Sequence, residues 1–188
     1  MRLPNFIIVG TIKSGTTSIW KFLKNHPDVF MPNVKETRFF SDMKIFRGGH
    51  REEQNKRVSK ENDYLELFRT SKKKICGDIS NDYFFYNKKS IKNIKKIYKK
   101  YNTNLPKIII ILRDPSDQIF SLYNQLRNIY GINDSFKEII NKEKYFIEND
   151  YPWPFCIKQC CLSSNALEDY LKNFNEIKVL FFKDINTI

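Results

Sequence analysis

The stretch PNFIIVGTIKSGTTSIWKFL runs from Pro4 to Leu23, and its reading decides the fold. Phe6-Ile7-Ile8-Val9 is a short, largely β-branched apolar run, which suits a strand buried on both faces of a parallel sheet. Gly10 ends that run, and Thr11 to Gly15 form a tight polar loop. From Thr16 a helical pattern begins, with Ile19, Trp20, Phe22 and Leu23 on or near one face. Strand, glycine-bounded loop and helix in this order build an anion cradle. The N–H groups of the loop and of the helix start point at the anion, and the helix dipole favours negative charge there.

The loop chemistry narrows the ligand. Gly10 and Gly15 have the glycine spacing of GxxxxGK[ST]. Thr16, followed by Thr17, stands where that motif has its lysine, and the lysine of this loop is Lys13. An NTPase without the motif lysine loses most of its γ-phosphate chemistry. A lysine moved inward suits a shorter anionic group. A second segment has the same logic. Lys107 to Leu112 is a β-branched apolar run that reads as a buried strand. It delivers Arg113 at its C-terminal end, where open α/β sheets bind ligands. Asp114-Pro115-Ser116 then opens a helix that carries Ser121.

GTIKSGTTSIWKFLKNHPDV resembles the 5′-phosphosulfate loop of sulfotransferases that use 3′-phosphoadenosine-5′-phosphosulfate (PAPS), especially the Golgi glycosaminoglycan and bacterial group. ILRDPSDQIFSLYNQ, from Ile111 to Gln125, resembles the 3′-phosphate motif of that family. The resemblance runs from Pro4 to about Asp184. It implies that Lys13, Ser14, Gly15, Thr16, Thr17 and Ser18 hold the 5′-phosphosulfate, and that Arg113 and Ser121 grip the 3′-phosphate. Lys35-Glu36-Thr37-Arg38-Phe39-Phe40 resembles the family's K-E-x-x-F-F motif, which implies Glu36 as catalytic base beside Lys13 as leaving-group electrophile. Asp78-Ile79-Ser80-Asn81-Asp82-Tyr83 resembles the E-x-S-P-x-Y segment, with two departures. Ile79 stands where glycosaminoglycan enzymes tend to have lysine, and Asn81 replaces the proline. The segment also lacks the histidine that phenol and steroid sulfotransferases use as base.

Length and composition set the frame. The 188 residues suffice for one domain with a substantial core. Hydrophobic residues at 41% argue against disorder. A net charge of +12 favours anionic partners: a nucleotide, a sulfated substrate, nucleic acid or an acidic surface. The lysines of Ser90 to Tyr101 read as one solvated helix face opposite Ile91, Ile94 and Ile97. Cys76, Cys156, Cys160 and Cys161 have no zinc-like spacing and read as reduced thiols. No run approaches the roughly 20 apolar residues a membrane span needs. Cytoplasmic residence is the expectation. His26 reads as a helix-terminal residue, and residues 41–62 as a loop over the acceptor cleft. Tyr151 to Phe155 reads as an aromatic loop that stacks on a sugar or plugs the core.

The expected fold is α/β: three layers around a central parallel sheet, like the P-loop nucleotide hydrolases. A single sulfotransferase-like domain over residues 1–188 is expected. The resemblance implies further chain after the last strand, so the domain reads as C-terminally incomplete. The expected function is sulfuryl transfer from PAPS to a hydroxyl or amine, with a carbohydrate-like acceptor favoured and PAP released. No metal is expected. The alternatives are a P-loop kinase or NTPase, weakened by Thr16, and a non-catalytic nucleic-acid-binding protein, weakened by the lack of a recognised motif.

Overall fold

A computed structural model of the chain describes residues 2–41, 58–162 and 164–185. Five parallel strands form one sheet in the order β2-β3-β1-β4-β5. They are β1 (Phe6–Gly10), β2 (Val29–Phe30), β3 (Ile75–Ile79), β4 (Lys107–Leu112) and β5 (Ile177–Phe181). Ile7, Ile8 and Val9 of β1 are wholly buried. Each such side chain contributes about 1.5–3 kcal/mol relative to an exposed one.

Alternation along β1 and β4 divides the core. Ile7, Val9, Ile108 and Ile110 face one side, under α2 (Glu61–Arg69), α3 (Asp82–Phe85), α4 (Asn87–Lys100) and α9 (Ser164–Asn173). Phe6, Ile8 and Ile111 face the other side, against Ile19, Trp20 and Leu23 of α1 (Thr16–Asn25). The lysine-rich α4 buries Ile91, Ile94 and Ile97, as its periodicity predicts. A third cluster lies beneath α5 (Pro115–Tyr130), packed against the short helix α8 (Ile157–Cys161). Asp114 caps α5 by accepting from the N–H groups of Ser116 and Asp117, with Pro115 in its first turn.

Some local readings change. Where period alone reads one helix over Ser135 to Lys144, the chain forms two, α6 (Phe136–Asn141) and α7 (Glu143–Glu148). The buried Glu143 turns inward, where its carboxylate accepts from the Gln159 N–H at 3.0 Å and meets Lys158 at 3.5 Å. Trp153 and Phe155 plug the third cluster, while Tyr151 stays on the surface. His26 ends α1, and its Nδ1 accepts from the Asp28 N–H. All four cysteines are free and buried. The acceptor-cleft loop expected over residues 41–62 falls largely outside the described residues. Among the described residues no helix is long and apolar enough to cross a membrane.

Candidate active site

The anion loop sits at the C-terminal edge of β1, between neighbours on both sides. Thr11 ties it to β4, since both its N–H and its hydroxyl donate to the Ile111 carbonyl, at 2.9 and 2.8 Å. Gln118, buried in α5, donates to Thr11 Oγ1 at 3.1 Å and to the Ile12 carbonyl at 2.7 Å. Lys13 turns the chain with φ 59° and Gly15 with φ 82°, and α1 starts at Thr16. A side chain at Gly15 would meet the Phe182 ring at 2.8 Å, so both conformation and space call for glycine. The first turn of α1 carries no acidic residue. Its leading N–H groups, at Thr16, Thr17 and Ser18, have no carbonyl one turn back. Such unpaired N–H groups at a helix start serve as donors for an anion.

The expected loop residues do not all behave alike. Thr17 and Ser18 are exposed at the helix start. Ser14 is fully buried, and its hydroxyl pairs with Thr11 Oγ1 at 2.6 Å. Its side chain therefore braces the loop from within. Two cations converge on the loop. Arg113 donates from Nη1 to the Lys13 carbonyl at 3.0 Å, and its guanidinium lies 4.6 Å from the Phe182 ring centre. Its Nε is buried without a partner. Burial, and then the charge of Arg113, lower the pKa of Lys13. Two cations held together, one with an orphaned buried donor, make a site built for an anion. Ser121 lies half-buried on α5, and among the described residues no hydrogen bond ties it to Arg113.

Glu36 stands past the end of β3, the strand beside β1. Its N–H donates to the Ile79 carbonyl at 3.1 Å, so its segment extends past the end of β3. Glu36 and Arg38 both hold positive φ, 60° and 55°. Asp78 locks this tight path from beneath. Its fully buried carboxylate accepts from Tyr64 at 2.9 Å, Tyr83 at 3.0 Å, Thr37 at 3.1 Å and the Ile79 N–H at 2.8 Å. Burial pushes Asp78 up to about 6 against the opposing pull of those donors. Phe39 stacks on Tyr64 with ring centres 4.2 Å apart, and Phe40 is buried beside it.

Three donors reach the Glu36 carboxylate. Lys35 Nζ and Asn81 Nδ2 (3.0 Å) serve Oε1. The Asn81 N–H (2.7 Å) serves Oε2, and Ser80 Oγ stands 3.4 Å from the same oxygen. Asn81, which on sequence is only a departure from a proline pattern, thus holds both carboxylate oxygens. A proline could make neither bond. The Asn81 carbonyl also lies 3.3 Å from where a side chain at Gly10 would sit, which joins this corner to the anion loop. Lys13, Arg113 and Glu36 therefore gather at one edge of the sheet, carried by segments that follow β1, β4 and β2.

An anion loop at the carboxyl edge of a parallel sheet, with an orphaned arginine donor and a clamped carboxylate, defines an α/β fold of the P-loop type equipped for group transfer. Residues 3–183 match the sulfotransferase domain model. The chain is 29% identical over 129 residues to bifunctional heparan sulfate N-deacetylase/N-sulfotransferase 4 of Mus musculus, covering 68% of this chain and 13% of that one. It is 25% identical over 189 residues to N-deacetylase/N-sulfotransferase 3 of the same organism, covering 95% and 20%. A crystal structure of a sulfotransferase from Alicyclobacillus acidocaldarius superposes with a TM-score of 0.88 at 31% identity, over 100% of this chain and 76% of that one. The chain belongs to the sulfotransferase domain family. It spans only 13% and 20% of the two curated relatives named.

Proposed function

We propose that the chain is a single PAPS-dependent sulfotransferase-like domain that moves a sulfuryl group onto a hydroxyl or amine of a carbohydrate-like acceptor. The observation that carries this reading is the buried, unpartnered Nε of Arg113 beside Lys13, at a helix N-terminus free of acidic residues. These groups fit an anionic ligand. PAPS supplies an activated sulfur–oxygen bond and a 3′-phosphate.

The residues divide the work. The N–H groups at Gly15, Thr16, Thr17 and Ser18 hold the 5′ end, while Arg113 and Ser121 hold the 3′-phosphate. Glu36 takes the proton of the attacking hydroxyl or amine as the new bond to sulfur forms. The bridging sulfur–oxygen bond breaks, and its electron pair goes to the phosphate oxygen, where Lys13 meets the growing charge. The lowered pKa of Lys13 makes proton donation to that oxygen easier than from a free lysine. The names of the relatives favour an amino sugar as acceptor. Cytoplasmic residence belongs to the same reading, and the free, buried thiols suit a reducing compartment.

A thermal-shift panel of PAP, PAPS, ATP, ADP and a short oligonucleotide tests this. PAP should stabilise more than ADP, by about 2.7 kcal/mol in total at a hundredfold excess over its Kd. Equal shifts for PAP and ADP, or a larger one with ATP and Mg²⁺, would remove the 3′-phosphate site and with it the proposal. PAP release with partly de-N-sulfated heparin and with a neutral oligosaccharide then separates amine from hydroxyl acceptors.

A further inference from the structure

Behind Glu36 lies a second carboxylate that the mechanism so far leaves unused. Asp82 opens α3 and is 1% exposed. Ser80 Oγ stands between the two acids, 2.5 Å from Asp82 Oδ1 and 3.4 Å from Glu36 Oε2. Ser80 has one hydrogen to give. The distances assign it to Asp82. The Ser80 oxygen meanwhile accepts from the Arg38 N–H at 3.2 Å, which fixes its place. Ser41 donates to the other oxygen of Asp82.

A carboxylate offers about four lone-pair positions. At Glu36 three are filled by Lys35 and by the two donors of Asn81. The fourth, on Oε2, faces Ser80. If the Ser80 hydrogen turned there, every position would be filled and the nucleophile's proton would have nowhere to land without displacing a donor.

We propose that Asp82 is a positioning residue for the base: it draws the Ser80 hydroxyl hydrogen to itself and so keeps one lone pair of Glu36 Oε2 open to the attacking nucleophile's proton. The inference rests on Glu36 as the base. The proton leaves the hydroxyl or water as its oxygen bonds to sulfur, and it arrives on Glu36. Asp82 neither gains nor loses a proton in that step. When Asp82 is protonated, it donates to Ser80 Oγ, and the Ser80 hydrogen swings to Glu36. Burial pushes Asp82 up to about 6, opposed by the Ser41 and Ser80 hydrogen bonds. Glu36 adds to the upward push, and Arg38 pulls down. The remaining titratable groups that sense Asp82 are the phenols of Tyr83 and Tyr86 and, from α9, Tyr170. Burial raises all three phenols, so none of them changes charge between pH 5 and 7. Asp82 does, as does Asp78, which touches neither Ser80 nor Glu36 and so leaves the acid limb of Ser80→Ala to Asp82.

PAP release from PAPS with water as nucleophile provides an acceptor-independent assay. Asp82→Ala leaves Glu36 as the acceptor in reach of Ser80, and kcat should fall roughly 10-fold or more, the factor that one hydrogen bond to a charged group commands. KM for PAPS should hold. Adding Ser80→Ala to Asp82→Ala should restore most of that loss, because no hydroxyl is left to turn. A general structural defect would not be rescued by a second deletion. Full turnover in Asp82→Ala, or a double variant that binds PAP yet stays as slow as the single, overturns the proposal. Should Asp82→Ala not fold, the pH profiles of the unsubstituted chain and of Ser80→Ala decide. The acid limb of kcat should move to lower pH in Ser80→Ala, and an unmoved limb overturns the idea. Glu36→Gln separates the two levels of the argument. If it retains turnover, the base assignment itself fails; if it abolishes turnover while rescue fails, only the role of Asp82 falls.

Discussion

The two halves of the site are built from different material. The anion loop is mostly main chain: strand-to-strand bonds at Thr11, a tight turn through Lys13 and Gly15, and the open N–H groups of α1. The Glu36 corner is mostly side chain: Asp78 gathers two tyrosines and a threonine, and Asn81, Ser80 and Lys35 surround Glu36. Main-chain donors survive almost any single substitution. Side-chain networks lose a donor or acceptor with each change and expose what remains. The loop is therefore the tolerant half and the Glu36 corner the fragile half.

The sharpest test of that contrast is Glu36→Gln. Glutamine keeps the shape but takes no proton, so turnover should drop roughly 10²–10⁴-fold while PAP binding persists. Loss of PAP binding in this variant would mean the two halves do not separate. Lys13→Ala should cost slightly less, on the order of 10²–10³-fold in turnover, with a smaller loss of PAP affinity because the N–H groups remain. Single-turnover rates and a PAP titration read both quantities. Asn81→Ala removes one of the two Asn81 donors to Glu36 and should slow PAPS hydrolysis about 10-fold. Asn81→Pro removes both and should be slower still; equal rates for the two would dismiss the backbone bond.

The smallest effect is one of direction. Asp78 is held at about 6 in the folded chain, above the ordinary carboxylate value of 3.8. Its ionisation therefore opposes folding at neutral pH. That penalty shrinks as pH falls from about 7 through 6 and is gone below 3.8. Urea midpoints of the unsubstituted chain should show this gain between pH 7 and 5, and Asp78→Asn should reduce it, leaving the part that the likewise raised Asp82 contributes. A midpoint that falls more steeply in the unsubstituted chain than in Asp78→Asn would contradict the burial of this charge.

The same division explains what the sequence reveals. β1, the glycine-bounded loop and α1 are contiguous, so period and spacing expose them, and the expected strand Lys107–Leu112 agrees with β4 residue for residue. Arg113 follows from its position at a strand end. The roles of Asn81, Asp82 and Gln118 do not follow from local pattern. Asn81 and Glu36 are 45 residues apart, and Gln118 reaches back 107 residues to Thr11. Such pairs exist only once the sheet order β3-β1-β4 has formed. The buried hydroxyl of Ser14 is illegible for the opposite reason: within a five-residue turn, φ angles decide which way a side chain looks, and a resemblance carries residue types rather than directions. The break in the helix after Asn141 has the same origin, since Glu143 is drawn inward by residues that come 15 or more positions later.

The central place of β1 has a consequence for the dynamics of the site. β1 is paired on both sides and buried along its whole length, so its amides should exchange with solvent only through the largest openings of the domain. The anion loop begins at the next residue. A segment that gives up its protons last is thus followed directly by one whose N–H groups must stay available to a ligand. The boundary between slow and fast exchange should fall between Gly10 and Ser14, and ligand binding should push it towards α1.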